Sequence, residues 1–255
     1  MRTILYLFLL TIISSCISSQ KIIAKNNEFE KFKNLADYKD CSGLGDKNFS
    51  FEPYVLINNK WGIDKIKSGN YNQCIYHKDG IVGWEWETPG RSFGVLGYPE
   101  IWMGSSAWER KENISKPNYF KKSNELKVFS VDFETVISTD DKKYNLAFDL
   151  WLHSEEITAF ETIEVELMVW EDYQKFKPFG KMKESVATSF GDYDLYYGIM
   201  KKPELGTEWI YIAFLRKEKR VSGKVDLKEL LDFLVQKNYI SKDLYLEYKN
   251  KFSFP

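Results

Sequence analysis

The chain has 255 residues, and its 36 Lys and Arg against 37 Asp and Glu leave a formal net charge of -1. No cationic surplus is available for nucleic acid, and the length suits one domain of ordinary size behind an N-terminal segment. Aromatic residues make up 16% of the chain, with 8 Trp and 16 Tyr, which serves either a ring-rich core or rings that stack on sugar faces. The two histidines, His77 and His153, lie near neither a G-x-S-x-G elbow nor an H-E-x-x-H pattern. Acid/base chemistry would therefore run on Asp and Glu, and no metal or cofactor is expected.

The chain opens with Met1-Arg2 and a run from Ile4 to Ile13 that is apolar apart from Thr11. This suits a signal-peptide core and is too short to span a bilayer. Ile13-Ser14-Ser15-Cys16 resembles a bacterial lipobox, so residues 1–16 are expected to be a lipoprotein signal with Cys16 as the lipidated terminus. A plain secretory signal cleaved near Ser18-Ser19 is the alternative. The expected location is the outer membrane or cell surface of a bacterium, or the medium if secreted. Residues 17–40 are polar and lysine-rich and read as a flexible tether. Setting Cys16 aside leaves Cys41 and Cys74, which in an oxidising compartment suggests one disulfide.

From Phe51 onward, short alternating runs are separated by turn residues. Tyr54 to Ile57, Ile81 to Trp86, Leu126 to Phe133, Tyr144 to Leu152, Glu161 to Trp170, Leu195 to Met200 and Glu208 to Leu215 read as strands. Many strands at this spacing predict an all-β sandwich or barrel. Leu227, Leu230, Leu231 and Leu234 fall at helical spacing, and Asp226 with Glu229 forms a capping-box pattern ahead of them. The prediction is two antiparallel sheets with one helix beside them.

Two strands carry the chemistry. In Tyr144 to Leu152 the even positions Leu146, Phe148, Leu150 and Leu152 form an apolar face, while Asn145, Ala147, Asp149 and Trp151 form the other. In Ile163 to Trp170, Val165, Leu167 and Val169 oppose Glu164, Glu166, Met168 and Trp170. An antiparallel sheet can bury one face and wet the other. A wet face with carboxylates, a Met and Trp suits a carbohydrate groove; a partly covered outer face explains the same pattern.

Several of these segments, in collinear order, resemble glycoside hydrolase family 12, the endo-β-1,4-glucanases and xyloglucan hydrolases. They are Asn58-Asn59-Lys60-Trp61-Gly62, Trp84-x-Trp86, Tyr98-Pro99, Phe148-Asp149-Leu150-Trp151, Glu166-Leu167-Met168-Val169-Trp170 and Ser222-Gly223 running into Asp226-Leu227-Lys228-Glu229-Leu230-Leu231. The resemblance runs from about Cys41 to Tyr245, and Cys41 and Cys74 flank the Asn-Asn-x-Trp-Gly element as a disulfide pair does in many members. It implies a β-jelly roll over residues 41–255 whose concave sheet forms an open groove, acting on β-glucan or xyloglucan with retention of configuration. Glu166 is then the nucleophile, Asp149 a supporting carboxylate and Trp61 a sugar platform with Asn59 beside it. Trp84, Trp86, Trp151, Met168, Trp170 and Pro178 complete the expected substrate-binding set. A monomer is expected, with membrane contact only through the lipid anchor.

The C-terminus departs from this pattern. Counting from Tyr245-Leu246, Phe254 falls where the acid/base Glu should be, and the last strand reads as incomplete. Glu247 lies seven residues earlier, about 23 Å along a strand, and with the opposite parity. A truncated or frame-shifted reading frame explains this, and so does a surface lipoprotein that binds glycan without turning it over.

Overall fold

Period-2 alternation builds most of the regular structure among the described residues. The computed structural model describes residues 17–22, 26–42, 49–51, 53–63, 66, 71–87, 95–108, 120–137 and 143–247; Cys16 and Phe254, with the expectations attached to them, lie outside these. In chain order the elements are β1 (Ile17–Ile22), α1 (Asn26–Leu35), β2 (Tyr38–Asp40), β3 (Phe49–Phe51), β4 (Tyr54–Asn59), β5 (Asn72–Lys78), β6 (Ile81–Glu87), β7 (Tyr98–Trp102) and β8 (Phe120–Lys122). There follow β9 (Ser130–Thr135), β10 (Tyr144–His153), β11 (Ile163–Gln174), β12 (Lys181–Thr188), β13 (Gly191–Lys202), β14 (Thr207–Arg216), β15 (Ser222–Asp226), α2 (Leu227–Gln236) and β16 (Tyr245–Glu247).

The large sheet runs β12-β13-β14-β11-β10-β16-β8, and three-stranded sheets β1-β9-β15, β2-β5-β6 and β3-β4-β7 accompany it. One face of the large sheet is hydrocarbon. Leu150 and Leu152 of β10, Val165, Leu167 and Val169 of β11, Leu195 of β13, and Ile212 and Phe214 of β14 are buried there. They pack with Val225 of β15 and the leucine face of α2 into one continuous core. The sandwich and its helix are those expected, but the pairing is not purely antiparallel. The chain leaves β11 for the sheet edge, turns back through the β12–β13 hairpin, and returns as β14, which lies parallel to β11. β1 also pairs in parallel with β9.

At the start of α2 the Asp226 carboxylate accepts from the Glu229 amide at 3.1 Å, as an N-cap should. The reciprocal half of the expected capping box is absent, because the Glu229 carboxylate instead accepts from the Ser189 amide at 2.8 Å. The helix start is thereby tied to the turn after β12.

The expected tether over residues 17–40 differs in the structure, which places β1, α1 and β2 there. Phe29 and Phe32 of α1 pack with Tyr76 and Cys74, with Phe29 edge-on to Tyr76 at 5.9 Å, and Lys33 pairs with Glu85 of β6 at 2.8 Å. One apolar pair at i, i+3 is enough to seat a short helix, and the surrounding lysines and glutamates conceal it in the sequence.

Cys41 and Cys74 form a disulfide with Cα atoms 4.2 Å apart. It closes a loop with a sequence separation of 33. Replacing both cysteines by Ser should lower the unfolding free energy by about 3 to 4 kcal/mol on loop-closure entropy. Urea unfolding of the double variant and of the reduced parent checks this; equal stability of variant and oxidised parent would contradict it.

Candidate functional site

The register of three adjacent strands brings the site together. Asp149 of β10 lies opposite Met168 of β11, and Trp151 lies opposite Glu166. On the other side of β11, Glu166 lies beside Tyr211 and Met168 beside Ala213 of β14. Val165, Leu167 and Val169 point into the core, so Glu166 and Met168 emerge on the opposite face together with Asp149, Trp151, Trp209 and Tyr211.

Glu166 is half-buried, and its carboxylate accepts from Trp209 Nε1 at 2.7 Å. Burial pushes its pKa up from an ordinary 4.5 to about 7, against the opposing pull of the Trp209 hydrogen bond and the positive charge of Lys202. Lys202 Nζ lies over the Trp108 ring, 4.0 Å from its centroid, and 6.0 Å from that of Trp209. Asp149 is reachable from the open groove yet crowded by protein atoms on its other sides. That crowding, then the charges of Glu166 and Glu100, hold it well above the ordinary carboxylate range, opposed by the Leu150 amide. Titration of one of these carboxylates therefore moves the other. Two tyrosines stand in the same field. Burial, then nearby carboxylate charge, raises both Tyr98 and Tyr211. The Tyr211 hydroxyl donates to Met168 Sδ at 3.3 Å.

A second assembly presents Trp61. Asn58 turns inward, where its amide donates to the Asp40 and Gln73 carbonyls at 3.1 Å each and accepts from Gln73 Nε2 at 2.8 Å. Lys60 also turns inward and donates to the Cys41 carbonyl at 2.7 Å, beside the disulfide. Asn59 turns outward and donates to Glu100 of β7 at 2.8 Å, while its Oδ1 accepts from the Trp61 amide at 3.2 Å. The two glycines permit close backbone approach. A Cβ on Gly62 would lie 2.2 Å from the Val95 carbonyl oxygen, and one on Gly97 would lie 2.4 Å from that of Asn59. Trp61 itself is 53% exposed.

The other expected site residues differ in their exposure and neighbours. Glu166, Asp149 and Trp151 lie together on the groove face, with Trp151 edge-on to Trp108 and Trp209 at 5.1 and 6.0 Å. Met168 and Trp170 share that face but are covered. Trp170 is only 2% exposed, stacks on Phe176 at 5.4 Å and donates to Met168 Sδ at 3.4 Å, so it forms a layer beneath the groove surface and not its open floor. Trp84 is partly buried and packs against the Leu56, Ile75 and Val82 cluster, and Trp86 lies opposite Gln73. Pro178 is buried, and the exposed Phe179 next to it sets its ring edge-on to Tyr211 at 5.8 Å.

The site also includes five residues outside the expected set: Trp108, Trp209, Tyr211, Lys202 and Glu100. The alternation that marks Glu208 to Leu215 as a strand also places Trp209 and Tyr211 opposite Ile210 and Ile212, so this signal was present. Tyr98, Glu100 and Trp102 likewise alternate on one face of β7. Nothing in the local sequence marks Lys202. Glu247 accepts from the Ser105 amide and the Thr158 hydroxyl, both at 2.8 Å, which ties β16 to two loops. A surface pocket against α2, lined by Val186, Thr188, Asp226, Glu229 and Phe233 among others, shares no residue with the groove.

Because Glu166 is raised to about 7 in the folded chain, folding favours its protonated form. The stability this lends is present below about pH 4.5 and is lost as pH rises through 7. Glu166→Gln removes the ionisation while keeping an acceptor for Trp209. The variant should match the parent at pH 4 and be more stable at pH 8 by on the order of 1 to 3 kcal/mol, reduced from the full linkage value because the group is partly solvated. Thermal or urea unfolding at both pH values measures this; a variant no more stable at pH 8 than at pH 4, relative to the parent, would contradict it.

The geometry agrees with known proteins. Residues 52–251 match the profile of glycosyl hydrolase family 12. Endoglucanase S of Pectobacterium parmentieri is 26% identical over 204 residues, which cover 78% of this chain and 74% of that protein. Among solved structures, the native family 12 xyloglucanase of Bacillus licheniformis superposes with a TM-score of 0.72 at 23% identity, over 82% of this chain and 89% of that one. Endoglucanase 3 of Trichoderma harzianum gives a TM-score of 0.65 at 18% identity, over 82% and 86% of the two chains. With a family profile spanning its whole groove and the sandwich those structures share, this chain belongs to glycosyl hydrolase family 12.

Proposed function

We infer that the protein is a retaining, endo-acting hydrolase that cleaves β-1,4-linked glucan backbones, cellulose-like β-glucan or xyloglucan, in polysaccharide catabolism. The observation that carries this reading is the Glu166 carboxylate. It accepts from Trp209 at 2.7 Å, directly across the strand pair from Trp151 and diagonal to Asp149, with Trp108 edge-on to Trp151. Glu166 attacks the anomeric carbon as the bond to the glycosidic oxygen breaks and that oxygen takes a proton from a general acid; water, giving its proton back to the same group, then displaces the enzyme from the glycosyl intermediate. Asp149, proton-rich beside Glu166, shares a proton with it and so adjusts its charge during the two steps. Exposed Trp61 offers a flat face to a sugar ring, and an open groove suits internal cleavage of a long chain.

Phe254, at the position where the family resemblance places the proton donor, favours a second reading, a surface glycan-binding lipoprotein with little turnover. The Cys41–Cys74 disulfide supports export to an oxidising compartment under either reading, with Cys16 as the anchor.

An activated 2-fluoro glycoside tests both. Its leaving group needs little protonation, so it should label Glu166, giving an adduct by intact-protein mass spectrometry that Glu166→Gln abolishes. Where no general acid operates, unactivated β-glucan should turn over about 10² to 10⁴-fold more slowly than the activated substrate predicts. Rapid turnover of unactivated polysaccharide would assign the proton to another carboxylate. Glu164 shares the parity of Glu166, whereas exposed Glu208 pairs with Lys201 at 3.0 Å. Binding without any adduct would favour the second reading.

A further inference from the structure

Glu100 is a carboxylate that the hydrolytic chemistry leaves without a task. It sits on β7 directly across from Ile57, two pairs along the ladder from the Asn59–Tyr98 pairing. Both of its oxygens are engaged. Oε1 accepts from Asn59 Nδ2 at 2.8 Å, and Oε2 accepts from the Trp102 indole. With its Nδ2 fixed in this way, the Asn59 amide has one orientation left, and its Oδ1 meets the Trp61 amide at 3.2 Å. Trp61 is the exposed ring of the motif, and Asn58 and Lys60 on either side of Asn59 are pinned inward by Asp40, Gln73 and Cys41. The outward half of this arm therefore depends on Glu100. The carboxylate also faces the groove, where its charge reaches Asp149 and Tyr98.

We propose that Glu100 is a positioning residue that holds the Trp61 platform in its sugar-stacking orientation through the Asn59 amide, linking glycan binding on this arm to the carboxylate cluster. The proposal rests on the reading of the groove as a glucan site. A carboxylate is suited to this task because it accepts from two donors at once. A glutamine of the same shape accepts from one and turns its own N–H groups on the other. In Glu100→Gln the Asn59 amide then flips to find a donor, and its Nδ2 is set against the Trp61 N–H.

The test is titration of a β-1,4-linked glucose hexamer into the Glu166→Gln protein, which prevents turnover. Adding Glu100→Gln should weaken binding about tenfold, as expected for one hydrogen bond to a charged acceptor. Trp61→Ala should weaken binding at least as much, and in that background Glu100→Gln should have no further effect. Asn59→Asp, which breaks the same relay by placing like charges together, should behave as Glu100→Gln does. In an indole 1H–15N spectrum the Trp61 and Trp102 signals should move in Glu100→Gln while those of Trp209 and Trp170 stay, which a general loosening of the fold would not produce. Equal losses with and without Trp61, or no loss from Glu100→Gln, would overturn the role of Glu100 alone. Failure of the hexamer to bind the Glu166→Gln protein at all would overturn the glucan reading, and the proposal with it.

Discussion

The pairing of β10 with β11 sets the rest of the structure. With Asp149 opposite Met168 and Trp151 opposite Glu166, Leu150, Leu152, Val165, Leu167 and Val169 enter the hydrocarbon core, and Asp149, Trp151, Glu166 and Met168 take the opposite face. A slip of one residue would send Glu166 and Asp149 into the layer filled by Leu150, Leu152, Val165, Leu167 and Val169, where an unpaired carboxylate is prohibitively costly. The apolar face thus excludes the alternative registers, and the position of the carboxylates follows from where the leucines and valines must go. β14 extends the same logic by bringing Trp209 and Tyr211 beside β11 in parallel register.

Function draws on the stability this core provides. Glu166 stands half-buried and is held partly protonated near neutrality, which is unfavourable for a charged nucleophile and useful for a pair that must pass a proton. Trp209 and Lys202 limit the cost. One donates a hydrogen bond and the other contributes charge from above an aromatic face. Fixed donors of this kind act without reorganising as charge develops.

The Trp61 arm is stabilised differently. It has little hydrocarbon beneath it, and its shape comes from a polar network running from Asp40 through Asn58 and Gln73, closed by the disulfide and by Lys60 on the Cys41 carbonyl. Buried polar groups of this sort specify one arrangement because each member loses a partner if any other moves. The alternation of inward Asn58 and Lys60 with outward Asn59 and Trp61 is the strand period carried past the end of β4 into a turn, and Gly62 and Gly97 let the neighbouring backbones close on it.

The sandwich, the helix after Asp226, the disulfide partners and the groove face of β10 and β11 are all readable from the order of residues alone. Each follows from a local period or an even count, and periodicity survives whatever else the chain does. Glu166 and Asp149 were legible because the alternating pattern isolates a carboxylate on a strand whose other side is wholly apolar. Which wet-face residues stay open depends on how distant segments pack over them. Trp170 and Met168 have the right parity, but Phe176 arrives from the following turn to cover the first, and the Tyr211 hydroxyl engages the second. Trp84 leans on Leu56, Ile75 and Val82, which come from three different strands. The helix α1 was hidden by its lysines because two phenylalanines are too few to show a period. Strand alternation marks the faces of Trp209 and Glu100, but that they and Lys202 meet the carboxylates depends on which strands and sheets come together, and those join residues far apart in the chain.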